Sequence, residues 1–182
     1  FWWAHRLLLA RQPDSLLAVV ARSESDAFVS QTEYVPTALY AAWAHRLRRD
    51  EAAARSAFEV ARAHLDSVLA VSPTIRVNAS MGLALAGLGR RREAAAAARW
   101  LQERPNFRPP YAGFGSRDHD ALILAQIGDV PGALEALERV LSGGSVSVSA
   151  HTVRLDPRYD PIRNDPRFQA LLAKYAEPKP VG

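Results

Sequence analysis

The chain contains no cysteine among its 182 residues, which excludes disulfide staples and every thiolate metal site. Lysine is nearly missing too. Lys174 and Lys179 are the only two among 23 basic residues, so the net charge of +4 is carried by arginine. Such a balance is compatible with acidic partners and requires none. No apolar run approaches the ~18 residues that cross a bilayer, so no membrane contact is expected of this segment. The aromatic opening FWWAHRLLLARQPDS is interrupted by His5 and Arg6 and is followed by no small-residue cleavage site, so it does not read as a leader. A start at Phe1 rather than Met leads us to expect the C-terminal piece of a longer protein. Its compartment is expected to be the cytoplasm, or the exported side of a membrane-anchored parent.

Catalytic motifs are also lacking. SGGSVSVSAHT, around residue 147, has glycines and hydroxyls without the GK[ST] ending of a phosphate loop, and reads as a connector with a serine capping a short helix. No GxSxG elbow exposes a nucleophile. His5, His45, His64, His119 and His151 show no HExxH spacing, and the acids flanking His119 read as partners of a helix start. We therefore expect no catalytic residues, no metal and no cofactor, and a chain that is not itself an enzyme.

What is present is a succession of helix pairs. PTALYAAWAHRLRR places Leu39, Trp43 and Leu47 on one helical face, and Asp50 then caps EAAARSAFEVARAHLDSVLAV, whose stripe is Ala54, Phe58, Ala61 and Leu65. Ser72-Pro73 closes that helix, because the residue before proline is pushed out of helical geometry. IRVNASMGLALAGLG, ending at Gly89, pairs with RRREAAAAARWLQERP, ending at Pro105. SRDHDALILAQIG, with Ser116 as N-cap and Gly128 as terminal glycine, pairs with VPGALEALERVL, capped by Asp129. Gly82 and Gly87 sit inside a helix, where each costs about 1 kcal/mol relative to alanine. That cost predicts close approach of a neighbouring backbone, with the small surface Ala94 to Ala98 on the helix that follows.

Gly82, Gly89 and Ala94, then Gly128 and Ala133, with Ala54, Phe58 and Ala61 before them, resemble tetratricopeptide repeats. Asn78 departs from that pattern where an aromatic is common, and Arg49 replaces the turn glycine of the first unit. Over about residues 31 to 175, QTEYVPTALYAAW, GLALAGLGRRREA and LDPRYDPIRNDPRFQALL are together similar to the C-terminal repeat region of large bacterial signalling proteins. In those chains a serine/threonine protein kinase, an adenylate cyclase or a winged-helix regulator precedes the repeats. The resemblance implies an all-α fold: a right-handed superhelical solenoid of antiparallel helix pairs with a C-terminal capping helix. The expected organisation is one domain, with N-terminal helices and a partial repeat in 1–35, repeats in 36–73, 74–110 and 111–142, and a connector, capping helix and tail in 143–182.

The three Asp-Pro pairs then read as punctuation, since aspartate caps helix starts and proline suits the first helical position. Asp165 opens a helix whose Phe168, Leu171, Leu172 and Tyr175 cover the last repeat, while Asp156 and Asp160 start short turns. Arg158, Arg163 and Arg167 offset the charge of the three aspartates.

Two binding surfaces are expected. By similarity, the first helix of each repeat lines a concave groove with Leu39, Trp43 and Arg46, then Arg76, Ala79 and Leu83, then Asp118 and Leu122, a surface suited to a peptide. For Trp43, core packing is an equal alternative. Arg46, Arg48 and Arg49 at one turn and Arg90, Arg91 and Arg92 at the next form a basic ridge that ends at Asp129. The resulting functional expectation is a protein-interaction or regulatory module, its partner a protein, a peptide or upstream domains of the same chain. A binder of anionic ligands or nucleic acid through the ridge is the second reading.

Overall fold

A computed structural model describes residues 2–30, 32–104, 118–143 and 148–176. The fold is mostly helical: α1 (Trp2–Leu9), α2 (Pro13–Ala21), α3 (Thr37–Leu47), α4 (Glu51–Val71), α5 (Ile75–Gly87), α6 (Arg91–Gln102), α7 (His119–Gln126), α8 (Val130–Ser142), α9 (Ala150–Leu155), a 3₁₀ segment (Pro157–Ile162) and α10 (Pro166–Lys174). Each helix from α1 to α7 packs against its successor, and a β-hairpin lies in the chain path between α2 and α3. Helix α5 also packs on α7, and α1 on α3.

Local chemistry accounts for the boundaries. The Asp50, Thr74 and Asp129 side chains accept from the N–H groups of Ala53, Val77 and Gly132, supplying partners that free helix starts lack. The Ala54, Phe58, Ala61 and Leu65 stripe of α4 is buried, as its spacing predicts. Ser116 and Pro105 lie outside the described residues, and α7 starts after Asp118, whose side chain makes no capping bond.

The same turn joins α1 to α2, α3 to α4, α5 to α6 and α7 to α8. In each, one residue takes a left-handed φ: Arg11 at 53°, Arg49 at 60°, Gly89 at 73° and Gly128 at 74°. Its N–H bonds the carbonyl three residues back, and the following N–H bonds the carbonyl five back, as in Gly89→Ala86 and Arg90→Leu85 at 3.0 and 2.9 Å. That double bond pattern satisfies carbonyls a helix end would leave open. Thus the departure noted at Arg49 is one of residue type and not of backbone, and α1–α2 is a complete hairpin of the same kind.

Three expectations need correction. First, a two-stranded antiparallel hairpin, β1 (Ala27–Val29) and β2 (Tyr34–Pro36), stands between α2 and α3, with Phe28 opposite Val35. It packs on α3, α4 and α5, and the buried Ser80 hydroxyl of α5 donates to the Tyr34 carbonyl at 2.5 Å. Second, the helical glycines make room for side chains and not for a backbone. A Cβ at Gly82 would overlap the Ile123 Cδ1 and lie 3.1 Å from the Ala97 Cβ, and one at Gly87 would overlap the Phe58 ring. Third, the Asp160 side chain caps no helix start: the residue lies inside the 3₁₀ segment, where its carbonyl accepts from the N–H of Arg163 at 3.2 Å.

The other two Asp-Pro pairs do cap. Asp156 accepts from the N–H of Arg158 and Asp165 from that of Arg167, each at 2.9 Å. Ser149 and Thr152 form a reciprocal capping box at α9. Phe168, Leu171 and Leu172 of α10 are buried and the helix packs on α8 and α9. Tyr175 is half-buried, and its hydroxyl donates to Glu138 at 2.6 Å.

Candidate functional site

The C-terminal segment does more than cover the last hairpin. Its 3₁₀ segment packs on α7 and returns to the first hairpin, where the Arg11 guanidinium donates to both Asp160 carboxylate oxygens at 2.8 and 2.6 Å. Arg163 also donates to the Oδ1 of that carboxylate, at 2.7 Å. The neighbouring Arg158 lies with its guanidinium 5.1 Å from the centre of the Trp43 ring in α3. The beginning and end of the described chain therefore meet, and between them is a cavity of about 480 Å³.

Four regions wall that cavity: α1, the loop and second strand of the β-hairpin, the first helices α3, α5 and α7, and the 148–159 segment. Trp2 lies at its rim and is 71% exposed, beside Trp3 at 62%. Inside, Tyr40 and Trp43 meet edge to face with centroids 5.4 Å apart. Such contacts fix both rings more firmly than burial alone.

The polar groups of the wall are coupled. Asp156 and Arg158 form a buried bidentate pair, 2.6 to 3.0 Å long, with side chains 6% and 10% exposed. Burial opposes both charges, but each is the other's compensation: Asp156 is held below the usual carboxylate range and Arg158 above the usual guanidinium range. Tyr159 donates its hydroxyl to Asp118 at 3.1 Å. His119 faces Glu33 at 3.5 Å through Nε2, while its buried Nδ1 and the buried Trp43 indole N–H have no hydrogen-bond partner among the described residues. Burial, then the Arg158 charge, lowers His5 to about 4, so the ring beside the pair is neutral at physiological pH. For Tyr40, burial pushes the phenol well above its usual range.

Five of the eight residues expected to line an open groove are buried. Leu39, Ala79, Leu83 and Leu122 are buried in the core, and Trp43 is only 4% exposed. The β-hairpin lies against α5, with the half-buried Arg76 bonded to the Ser30 carbonyl. Of the eight groove candidates, the structure brings Trp43, Leu83 and Asp118 to the cavity wall. Arg46 instead borders a smaller cavity of about 160 Å³ between α3, α7 and the 3₁₀ segment.

The arginines of the expected ridge are divided among different tasks. Arg46 donates to the Gly87 carbonyl at 2.9 Å and covers the Phe58 ring at 4.8 Å. Arg91 donates to the Ile127 carbonyl through Nε at 2.9 Å and through Nη2. Each places a cation on the C-terminal end of a first helix in the next hairpin, where carbonyl charge accumulates. Arg90 is paired with Glu93 by two bonds of 2.6 and 2.5 Å, and Arg48 lies 3.6 Å from Asp14. Arg49 and Arg92 are exposed.

Sequence reading missed His5, Tyr40, Asp156, Arg158 and Tyr159 as members of one site. The signal available for Arg158 was its position two residues after a buried capping aspartate, but nothing in the pattern placed it against Trp43. Among the described residues no group of three or more His, Asp or Glu side chains is placed to hold a metal ion, and no helix is long and apolar enough to cross a membrane. No family model, curated protein or solved structure matches the chain.

Proposed function

We propose that this chain is a non-catalytic recognition module, a tetratricopeptide-like solenoid that serves protein interaction or regulation within a larger bacterial signalling protein. The observation that carries this reading is the placement of Trp2 and Trp3: two exposed indoles on α1, of which Trp2 lies at the rim of a cavity whose inner wall holds a buried ion pair. Tryptophan and arginine dominate the energetics of protein interfaces because they combine large apolar area with directional polar groups. Arg6, exposed on the same helix and 5.9 Å from the Trp3 ring centre, completes such a surface. The four repeated turns and the arginine contacts between hairpins support a preorganised platform, which lowers the entropic cost of binding.

The test is affinity capture from the host organism with immobilised chain, compared with Trp2→Ser/Trp3→Ser. Because both rings are exposed, the variant should keep the melting temperature of the parent. Specific capture by the parent that disappears in the variant supports the reading. Capture that is indifferent to both substitutions contradicts this placement of the interface.

A further inference from the structure

We propose that the cavity between the first hairpin and the C-terminal segment binds a small organic cation with an apolar body. The proposal needs the cavity alone, and stands whether or not a protein docks at its mouth.

Its volume of about 480 Å³ falls within the roughly 300–1,000 Å³ of small-molecule sites. The exposed Trp2 ring at the rim offers an aromatic face, which attracts cations through its quadrupole, while Tyr40, Trp43 and Tyr159, each 4% exposed or less, form the closed inner wall. The charges decide the sign of the ligand. Three carboxylates line the space, those of Glu33, Asp118 and Asp156, against the guanidinium groups of Arg6 and Arg158. Arg158 is committed to Asp156 by three bonds. The Arg6 guanidinium lies towards Trp3 on the exposed helix. Asp118 is different: it is half-buried, accepts one hydroxyl bond from Tyr159, and makes no ion pair among the described residues. An ammonium reaching it gains a charge-assisted hydrogen bond in surroundings less polar than water. An anion at the inner wall meets Asp118 and Glu33, and the guanidinium there, Arg158, is already bound to Asp156, leaving only the exposed Arg6 of α1 to receive it.

The experiment is calorimetric titration of the chain with tryptamine and, separately, with indole-3-propionate, which has the same ring and the opposite charge. Tryptamine is expected to bind saturably, and indole-3-propionate at least about tenfold more weakly, the scale of one charge-assisted bond. Asp118→Asn keeps an oxygen for Tyr159 while removing the charge, and should weaken tryptamine by about tenfold or more. If that variant melts early, Glu33→Gln provides the same comparison on a second carboxylate. Equal binding of both probes, unchanged tryptamine affinity in the folded variants, or no saturable tryptamine binding would overturn the proposal. Any of these results leaves the partner-capture comparison unaffected, so the two readings fail separately.

Discussion

At Gly87 the absence of a single methyl group lets the buried Phe58 ring lie against helix α5, with Arg46 on that ring and on the glycine's own carbonyl. Alanine there should cost about 1–3 kcal/mol, the range for overpacking a close-packed core. Gly82→Ala should cost less, because the nearest overlapping atom is the Cδ1 of Ile123, the far end of a flexible side chain and not a rigid ring. Urea unfolding of the two variants tests the order, and a costlier Gly82 would contradict the packing described. His5 gives a second residue-scale prediction. Its folded value of about 4 lies below its ordinary 6.5, so the fold favours the neutral ring. The stability this contributes is full above pH 6.5 and is lost as pH falls towards 4, by on the order of 3 kcal/mol. Asp156 and Asp160, held below 3.8, act chiefly at lower pH, and Asp120, raised by its burial, acts in the opposite sense, so the comparison with a His5 variant isolates the histidine. Unfolding curves should therefore show stability falling between pH 6.5 and about 4 in the parent and much less in His5→Asn. The helical glycines were visible in the sequence as costs awaiting an explanation. His5 was not, since nothing near it in the chain predicts Arg158.

Between elements, Arg46 and Arg91 do equivalent work one hairpin apart, each seating its cation on the carbonyl end of the next first helix. Arg46→Ala removes a hydrogen bond from a charged donor and the contact over Phe58, and should cost about 2 kcal/mol. Arg92→Ala, on an exposed side chain, should stay within about 0.5 kcal/mol. Thermal unfolding of the two variants separates an arginine that links hairpins from one that faces water. Equal effects would refute the linkage. The helix pairs themselves were legible because caps and turns are local chemistry: Asp50 and Asp129 announce helix starts, and Gly89 and Gly128 announce left-handed turns. The β-hairpin was not legible. AFV and YVP are three residues each, too short for an alternating pattern to register. Arg11 hid the first of the four turns, because arginine carries no preference for a left-handed φ, whereas the turn at Arg49 was legible from the capping Asp50 beside it.

For the whole molecule, the decisive feature is that the C-terminal segment returns to the first hairpin and walls a cavity there. The Asp-Pro run disclosed its caps in the sequence, since a cap is read from adjacent residues. The return did not show, because Arg11 and Asp160 are 149 positions apart and no periodicity connects them. The Arg11–Asp160 pair is about two-fifths exposed on both sides, so it contributes less than about 1 kcal/mol. The adjoining Asp156–Arg158 pair and the Trp43 ring hold the rest of the contact in place. A chain without cysteine permits a direct test of this closure. Arg11→Cys/Asp160→Cys is treated with a short bis-maleimide, with Arg22→Cys/Asp160→Cys as the control, and the intramolecular product is measured by mass spectrometry. Nearly complete cross-linking of the first pair within single chains, far above the control, is the result predicted. Cross-linking no greater than in the control would show that the two ends do not meet and that the cavity has no such wall.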